Sequence, residues 1–141
     1  MTPVVTLLAM AEAAREAGAG NDLVAVLDAR MGEVYWARYR YDGDWTVVAE
    51  PALSKAGEVV AVAADAICGN GLLAYADAFT QIGDIARYAD IVPHATSIAR
   101  LAVRAVVRKE LQAPRDAQPL YLRNKVALTT SERLLAAGAR A

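Results

Sequence analysis

The chain reads as an α/β fold, a three-stranded antiparallel meander extended into a mixed sheet with flanking helices. Three stretches predict it. Leu23 to Asp28 is a short continuous apolar run, the pattern of a strand covered on both faces. Glu33 to Tyr41 alternates, with Val34 and Trp36 on one face and Tyr35, Ala37, Tyr39 and Tyr41 on the other. "YDGDW" then holds Asp42-Gly43, a hairpin signal because such a turn needs positive φ, and Trp45 to Glu50 returns as the third strand.

A helix over residues 5 to 17 precedes the meander. Thr6 is its expected N-cap, Leu7, Leu8, Ala11 and Ala14 recur on one side, and "GAGN" stops it. After Pro51 the pattern changes to strand–helix alternation. Ser54 is read as the cap of a helix reaching Ala64, "DAICGNG" as a short buried strand ending in a glycine turn, and residues 72 to 81 as helical. Tyr88 to Val92 fits another strand. Thr96 or Ser97 then caps a long helix over about 97 to 112, with Ile98, Leu101, Ala105 and Leu111 among its apolar positions. "QAPRDAQPLYLRN" is an irregular exit. Residues 1–127 form one domain by this reading, with 128–141 as a flexible tail.

With 141 residues, the chain can bury about two-thirds of its unfolded surface. Its 15 Lys+Arg against 16 Asp+Glu give no global attraction to nucleic acid or anionic membrane. One cysteine, Cys68, excludes an internal disulfide and a multi-cysteine zinc site. One histidine, His94, excludes a His-rich metal centre and the paired-histidine zinc-protease signature, so no metal is expected. No apolar run approaches the roughly 20 residues of a membrane helix, and the amino terminus lacks a signal-peptide layout, which predicts a soluble cytoplasmic protein. The hydrophobic fraction of 56% has two readings: ordinary Ala-rich helices, or a face that meets another lobe or subunit.

Four clusters are candidates for chemistry. Asp28, Arg30, Gly32 and Glu33 crowd the turn between the first two strands, where acid–base work or phosphate binding is conceivable. Phosphate cradling wants glycines that let N–H groups converge, yet Arg30 and Met31 occupy those places, so Arg30 pairing with Asp28 or Glu33 to fix the hairpin is the alternative. Gly69, Asn70 and Gly71 form a turn suited to close approach of a ligand or another backbone. Beside them, Cys68 is either a nucleophile assisted by His94 or a small buried hydrophobe. Arg100, Arg104 and Arg108 recur every four residues and line one helix face. That face is either a phosphate-binding stripe for RNA or the solvated side of an amphipathic helix.

Two stretches resemble one known family. "LDARMGEVYWARY" is similar to the hairpin of the TsaB (YeaZ) family, and "PLYLRNKVA", residues 119 to 127, to that family's carboxy-terminal Pro-x-Tyr-Leu-Arg motif. The resemblance runs from about Val5 to Ala127. It implies an RNase H-like lobe of the actin-like ATPase superfamily. It also implies a part in making threonylcarbamoyladenosine beside the tRNA anticodon, as a non-catalytic partner of a TsaD-like subunit with a TsaE-like ATPase. Older naming places the family among glycoprotease-like peptidases, which the residues do not support.

The family's amino-terminal lobe opens on an Asp-Thr strand end and carries a Gly-Pro-Gly-Ser-Phe-Thr-Gly-like segment. Neither occurs here, so the resemblance implies the carboxy-terminal lobe alone, and with it exposed apolar surface and homo-oligomer formation. In nucleotide-binding members of the superfamily an Asp-x-Gly type turn holds phosphate. Asp28 is followed here by Ala29 and Arg30, so the turn resembles a degenerate phosphate loop. No catalytic residue and no cofactor are expected, and tRNA is reached indirectly. The competing expectations are a residual nucleotide-binding or hydrolase-type enzyme and an RNA-binding module using the arginine stripe.

Overall fold

A computed structural model of the chain describes residues 1–123 and 130–138. Its centre is β1 (Asp22–Asp28), whose Leu-Val-Ala-Val run is buried on both faces. On one side β1 pairs antiparallel with β2 (Glu33–Tyr41), and β2 with β3 (Trp45–Lys55). On the other it pairs parallel with β4 (Ala66–Cys68), and β4 with β5 (Ala86–Tyr88). The order is β3-β2-β1-β4-β5, the expected meander extended into a mixed sheet.

Strand alternation divides the core into two layers. Leu23 and Ala25 face α1 (Thr6–Glu16), packing with Leu7, Met10, Ala11, Ala14 and Tyr39. Val24 and Val26 face the other way, onto Val34, Ile67, Leu72 and Phe79. α2 (Gly71–Ala74) and the 3-10 helix Ala76–Ile82 cover that second layer, so the helical stretch expected over 72 to 81 is split at Tyr75. α3 (Ala95–Val107) lies on α1, burying Ser97, Leu101 and Ala105.

Several boundaries differ from the sequence reading. The helix expected from Ser54 to Ala64 does not form. β3 continues through Ser54, which pairs with Val34, and only the 3-10 turn Ala56–Glu58 follows. Pro51 is tolerated because β3 is an edge strand and its pairing with β2 shifts register between Trp36 and Arg38, where a missing N–H costs no ladder bond. Thr6 is the first residue of α1 rather than its cap; Val5 stands there without a side-chain bond. β5 ends at Tyr88, because its partner β4 has only three residues.

α3 starts at Ala95 and stops at Val107, five residues short of the expected end. Lys109 adopts φ +62 and closes the helix: its N–H bonds the Val106 carbonyl at 2.9 Å, and the Glu110 N–H bonds Ala105 at 2.9 Å. Within the expected tail, Thr130–Gly138 forms α4; residues 124–129 and 139–141 lie outside the described residues.

A buried carboxylate ties three elements together. Glu12 of α1 is fully buried and accepts the Trp45 indole N–H from β3 at 2.7 Å. Arg104 of α3 pairs with it at 3.2 Å and Arg15 at 3.6 Å. Both guanidinium groups also lie over the Tyr41 ring, at 5.4 and 4.0 Å from its centroid. Charged groups withdrawn from water persist only when partnered, so Glu12 fixes the position of α1 against the hairpin and α3. Glu12→Ala should therefore lower stability by about 3 kcal/mol in urea unfolding, because it leaves two arginines facing an apolar pocket.

Candidate functional site

The turn after β1 is built by strain and then held. Arg30, Met31 and Gly32 take φ values of +66, +58 and +78 in succession. Only the last is free for glycine; the two others each store of the order of 1 kcal/mol. The Ala29 N–H bonds the Glu33 carbonyl and the Glu33 N–H bonds the Arg30 carbonyl, both at 3.0 Å, closing the turn on itself. Asp28 anchors it from beneath. One carboxylate oxygen, Oδ1, accepts the Arg30 N–H at 2.8 Å and the Tyr75 hydroxyl at 2.8 Å. The Arg30 guanidinium is 3.4 Å from Oδ2, with its own side chain 88% exposed.

These bonds move the titration of both partners. The Arg30 amide first, and the Tyr75 hydroxyl second, hold the Asp28 carboxyl below the usual carboxylate range. The same hydrogen bond to Asp28 raises the Tyr75 phenol.

The end of β4 supplies the opposite wall. Gly69 sits at φ +112 with its Cα against β1, where an added Cβ would lie 2.1 Å from the Val26 carbonyl oxygen. An added Cβ at Gly71 would come within 2.6 Å of Val26 Cγ1, so this turn does approach a backbone closely. Asn70 Oδ1 accepts the Asp28 N–H at 2.9 Å. The carboxyl ends of two adjacent parallel strands thus converge, the place where open α/β sheets bind ligands.

Arg123 completes the cluster from the far end of the chain. Its guanidinium donates to the Ala29 carbonyl at 2.9 Å, pairs with Glu33 at 2.7 Å and reaches Met31 Sδ at 3.4 Å. The arginine of the Tyr-Leu-Arg motif therefore clasps the turn of the Asp-Ala-Arg-Met-Gly-Glu motif. Glu33 pairs with Arg123, while Arg30 takes Asp28. Beside the turn lies an apolar groove of about 760 Å³ among Val5, Leu7, Leu27, Tyr35, Pro51 and Leu120.

The other candidates fall elsewhere. The arginine stripe is held in ion pairs: Arg100 pairs with Glu16, Arg104 with the buried Glu12, and Arg108 with Asp44 and Glu110, both at 2.8 Å, while the Arg100 and Arg108 side chains stay 54% and 40% exposed. Arg104 alone is drawn against the core; Arg100 and Arg108 are paired at the surface. Cys68 is wholly buried and burial pushes its thiol up to about 12, leaving negligible thiolate at neutral pH. His94 is exposed at the amino end of α3. Among the described residues no group of three His, Cys, Asp or Glu could hold a metal ion, and no helix is long and apolar enough to cross a membrane. Tyr75 and Glu12 escaped the sequence reading: an isolated tyrosine between helical stretches, and a glutamate on a helix that reads as surface, carry no local signal.

Acid titration tests the turn. The folded Asp28 carboxyl lies below its ordinary 3.8, so the unfolded chain takes up the proton at higher pH. Its contribution to stability is complete above that value and is lost as pH falls through the folded one. Tyr75→Phe should move the Asp28 carboxyl upward in a carboxyl-carbon NMR titration and leave Asp22 unmoved. Cys68 should resist a thiol reagent in the native protein and react at once in denaturant.

No protein-family model matches the chain. It is 33% identical to the tRNA threonylcarbamoyladenosine biosynthesis protein TsaB of Escherichia coli, over 90% of this chain and 58% of that protein. Two solved structures from Pseudomonas aeruginosa superimpose on it. One is an uncharacterised protein with similarity to peptidase YeaZ, with TM-score 0.76 and 32% identity over 85% of this chain. The other is YeaZ itself, with TM-score 0.74 and 30% identity over 84% of this chain. The chain covers 57% of each. It spans a little under three-fifths of the relatives it matches, and over that span its sequence and its mixed α/β lobe are similar to the TsaB (YeaZ) proteins.

Proposed function

We propose that this chain is a non-catalytic, scaffold-type component of tRNA threonylcarbamoyladenosine biosynthesis. In this reading residues 1–127 form a single lobe, the partner is a TsaD-like subunit with a TsaE-like ATPase beside it, tRNA is engaged indirectly, and the location is cytoplasmic. The pathway is supported by the name of the curated relative. The non-catalytic part rests on one observation: the Asp28 carboxylate is already taken by the Arg30 amide and the Tyr75 hydroxyl. A carboxylate engaged in this way, with its proton affinity lowered, is a poor general base at neutral pH.

Reconstitution tests this. The chain, joined to the portion of a full-length relative that it does not cover, should stimulate tRNA modification by a TsaD-like subunit with its TsaE-like ATPase. Asp28→Asn should leave that stimulation within about twofold, since a group that performs no proton transfer shows no loss of the 10²–10⁴-fold kind. Loss of stimulation by orders of magnitude in Asp28→Asn, with binding retained, would restore the hydrolase reading.

We also propose that the chain self-associates through α3. With its arginines held in ion pairs, α3 presents an outward arc of Ala95, Thr96, Ala99, Val103, Val106 and Val107, bordered by the Arg100–Glu16 pair, with Val103 63% and Val107 76% exposed. Two such arcs meet without burying a charge. Light scattering should give a mass that rises with concentration, and Val103→Glu should return it to that of one chain. A single-chain mass for the parent at every concentration would dismiss this.

A further inference from the structure

We propose that residues 113–122 are a strap that opens and closes over the apolar groove, and that the Arg123 side chain is the latch holding it shut on the turn between β1 and β2. The device stands on this chain's own contacts and is independent of the pathway proposed above.

The strap leaves α3 and returns to the turn between β1 and β2 at the middle of the sheet. At its start Gln112 and Met1 exchange hydrogen bonds of 3.0 and 2.8 Å. Between its ends, among the described residues, every hydrogen bond made by residues 113–122 stays inside that segment: Asp116 to Ala113, Ala117 to Pro114, and Gln118 to Asp116 and Arg115. Its apolar side chains contribute little burial, since Leu120 is 60% and Tyr121 76% exposed. Yet Ala117, Pro119, Leu120 and Leu122 form one wall of the groove whose other wall is the segment from Pro3 to Leu7, with Leu27, Tyr35 and Pro51. A segment with few buried contacts and, among the described residues, no backbone bonds to its surroundings opens easily, and its closed state rests on whatever pins its ends.

Arg123 is that pin. Its side chain is 12% exposed and makes three contacts, to the Ala29 carbonyl, the Glu33 carboxylate and Met31 Sδ. All three belong to the turn, and their positions depend on the left-handed backbone of Arg30, Met31 and Gly32. Relaxing the turn to an ordinary backbone displaces the acceptors and frees the latch. The turn and the groove are therefore one two-state element, in which a ligand or partner that grips the turn also sets access to the groove.

Native-state proteolysis with trypsin tests the strap directly, because Arg115 lies within it with an 87% exposed side chain. Arg38 and Arg40 in β2 report opening of the sheet. Arg123→Ala should speed cleavage after Arg115 by about tenfold or more, the size expected from losing a charge-assisted pair, while cleavage at Arg38 and Arg40 stays unchanged. Fluorescence of 8-anilinonaphthalene-1-sulfonate should rise with it as the groove opens. Glu33→Gln keeps the Ala29 bond and should give a smaller acceleration at Arg115 alone, which decides the matter if Arg123→Ala fails to fold. Unchanged cleavage at Arg115, or acceleration at Arg38 and Arg40 in proportion, overturns the proposal.

Discussion

A strand buried on both faces cannot leave its ends unfinished, and β1 is finished by carboxylates. At its start Asp22, itself buried, receives Arg38 at 2.6 Å and Arg40 at 2.7 Å, while Asp65 accepts the Asn21 and Asp22 amides at 2.8 and 2.9 Å. Burial alone would raise the Asp22 carboxyl, but the hydrogen bonds from Arg38 and Arg40 outweigh it and hold the carboxyl below its usual range. At its far end Asp28 receives the Arg30 amide and the Tyr75 hydroxyl. The apolar middle contributes most of the burial; the two acidic ends determine where the strand begins and stops and which loops meet it.

The same logic explains the helices. α1 brings an acid, Glu12, into the sheet–helix interface, and α3 turns Arg104 toward it, while Arg100 and Arg108 pair at the surface. An amphipathic helix ordinarily buries its apolar arc. α3 reverses part of that arrangement because the carboxylates of Glu12, Glu16 and Asp44 offer its guanidiniums partners that solvent would otherwise supply. The valines are then left outside. An exposed uncharged arc on a helix of this kind is the physical ground for expecting a covering partner.

The turn after β1 occupies the position at which an open α/β sheet places ligand chemistry, yet its polar groups face one another. Its amides close the turn, its acid receives an amide and a phenol, and the remaining glutamate takes an arginine from the carboxy-terminal exit. A loop with this inventory is satisfied internally and presents Arg30 and Met31 outward. The turn serves as the fastening point for Arg123, and an apolar groove lies beside it.

The meander, the buried central strand, the glycine turn after β4 and the resemblance carried by two motifs were all legible in the sequence, because each follows from local periodicity, turn chemistry or contiguous residues. Boundaries that depend on neighbours were not. β3 runs past Pro51 since it is an edge strand with a register shift there, and α3 stops at Val107 since Lys109 closes it in a left-handed conformation. Nor could the sequence tell which way Arg100, Arg104 and Arg108 point: a spacing of four sets a common face, but only packing against α1 and the hairpin decides what that face meets. The two motifs, some 90 residues apart, are joined by Arg123 at the Ala29 carbonyl and Glu33. That contact belongs to tertiary structure alone, because no local rule relates the end of one segment to the turn of another.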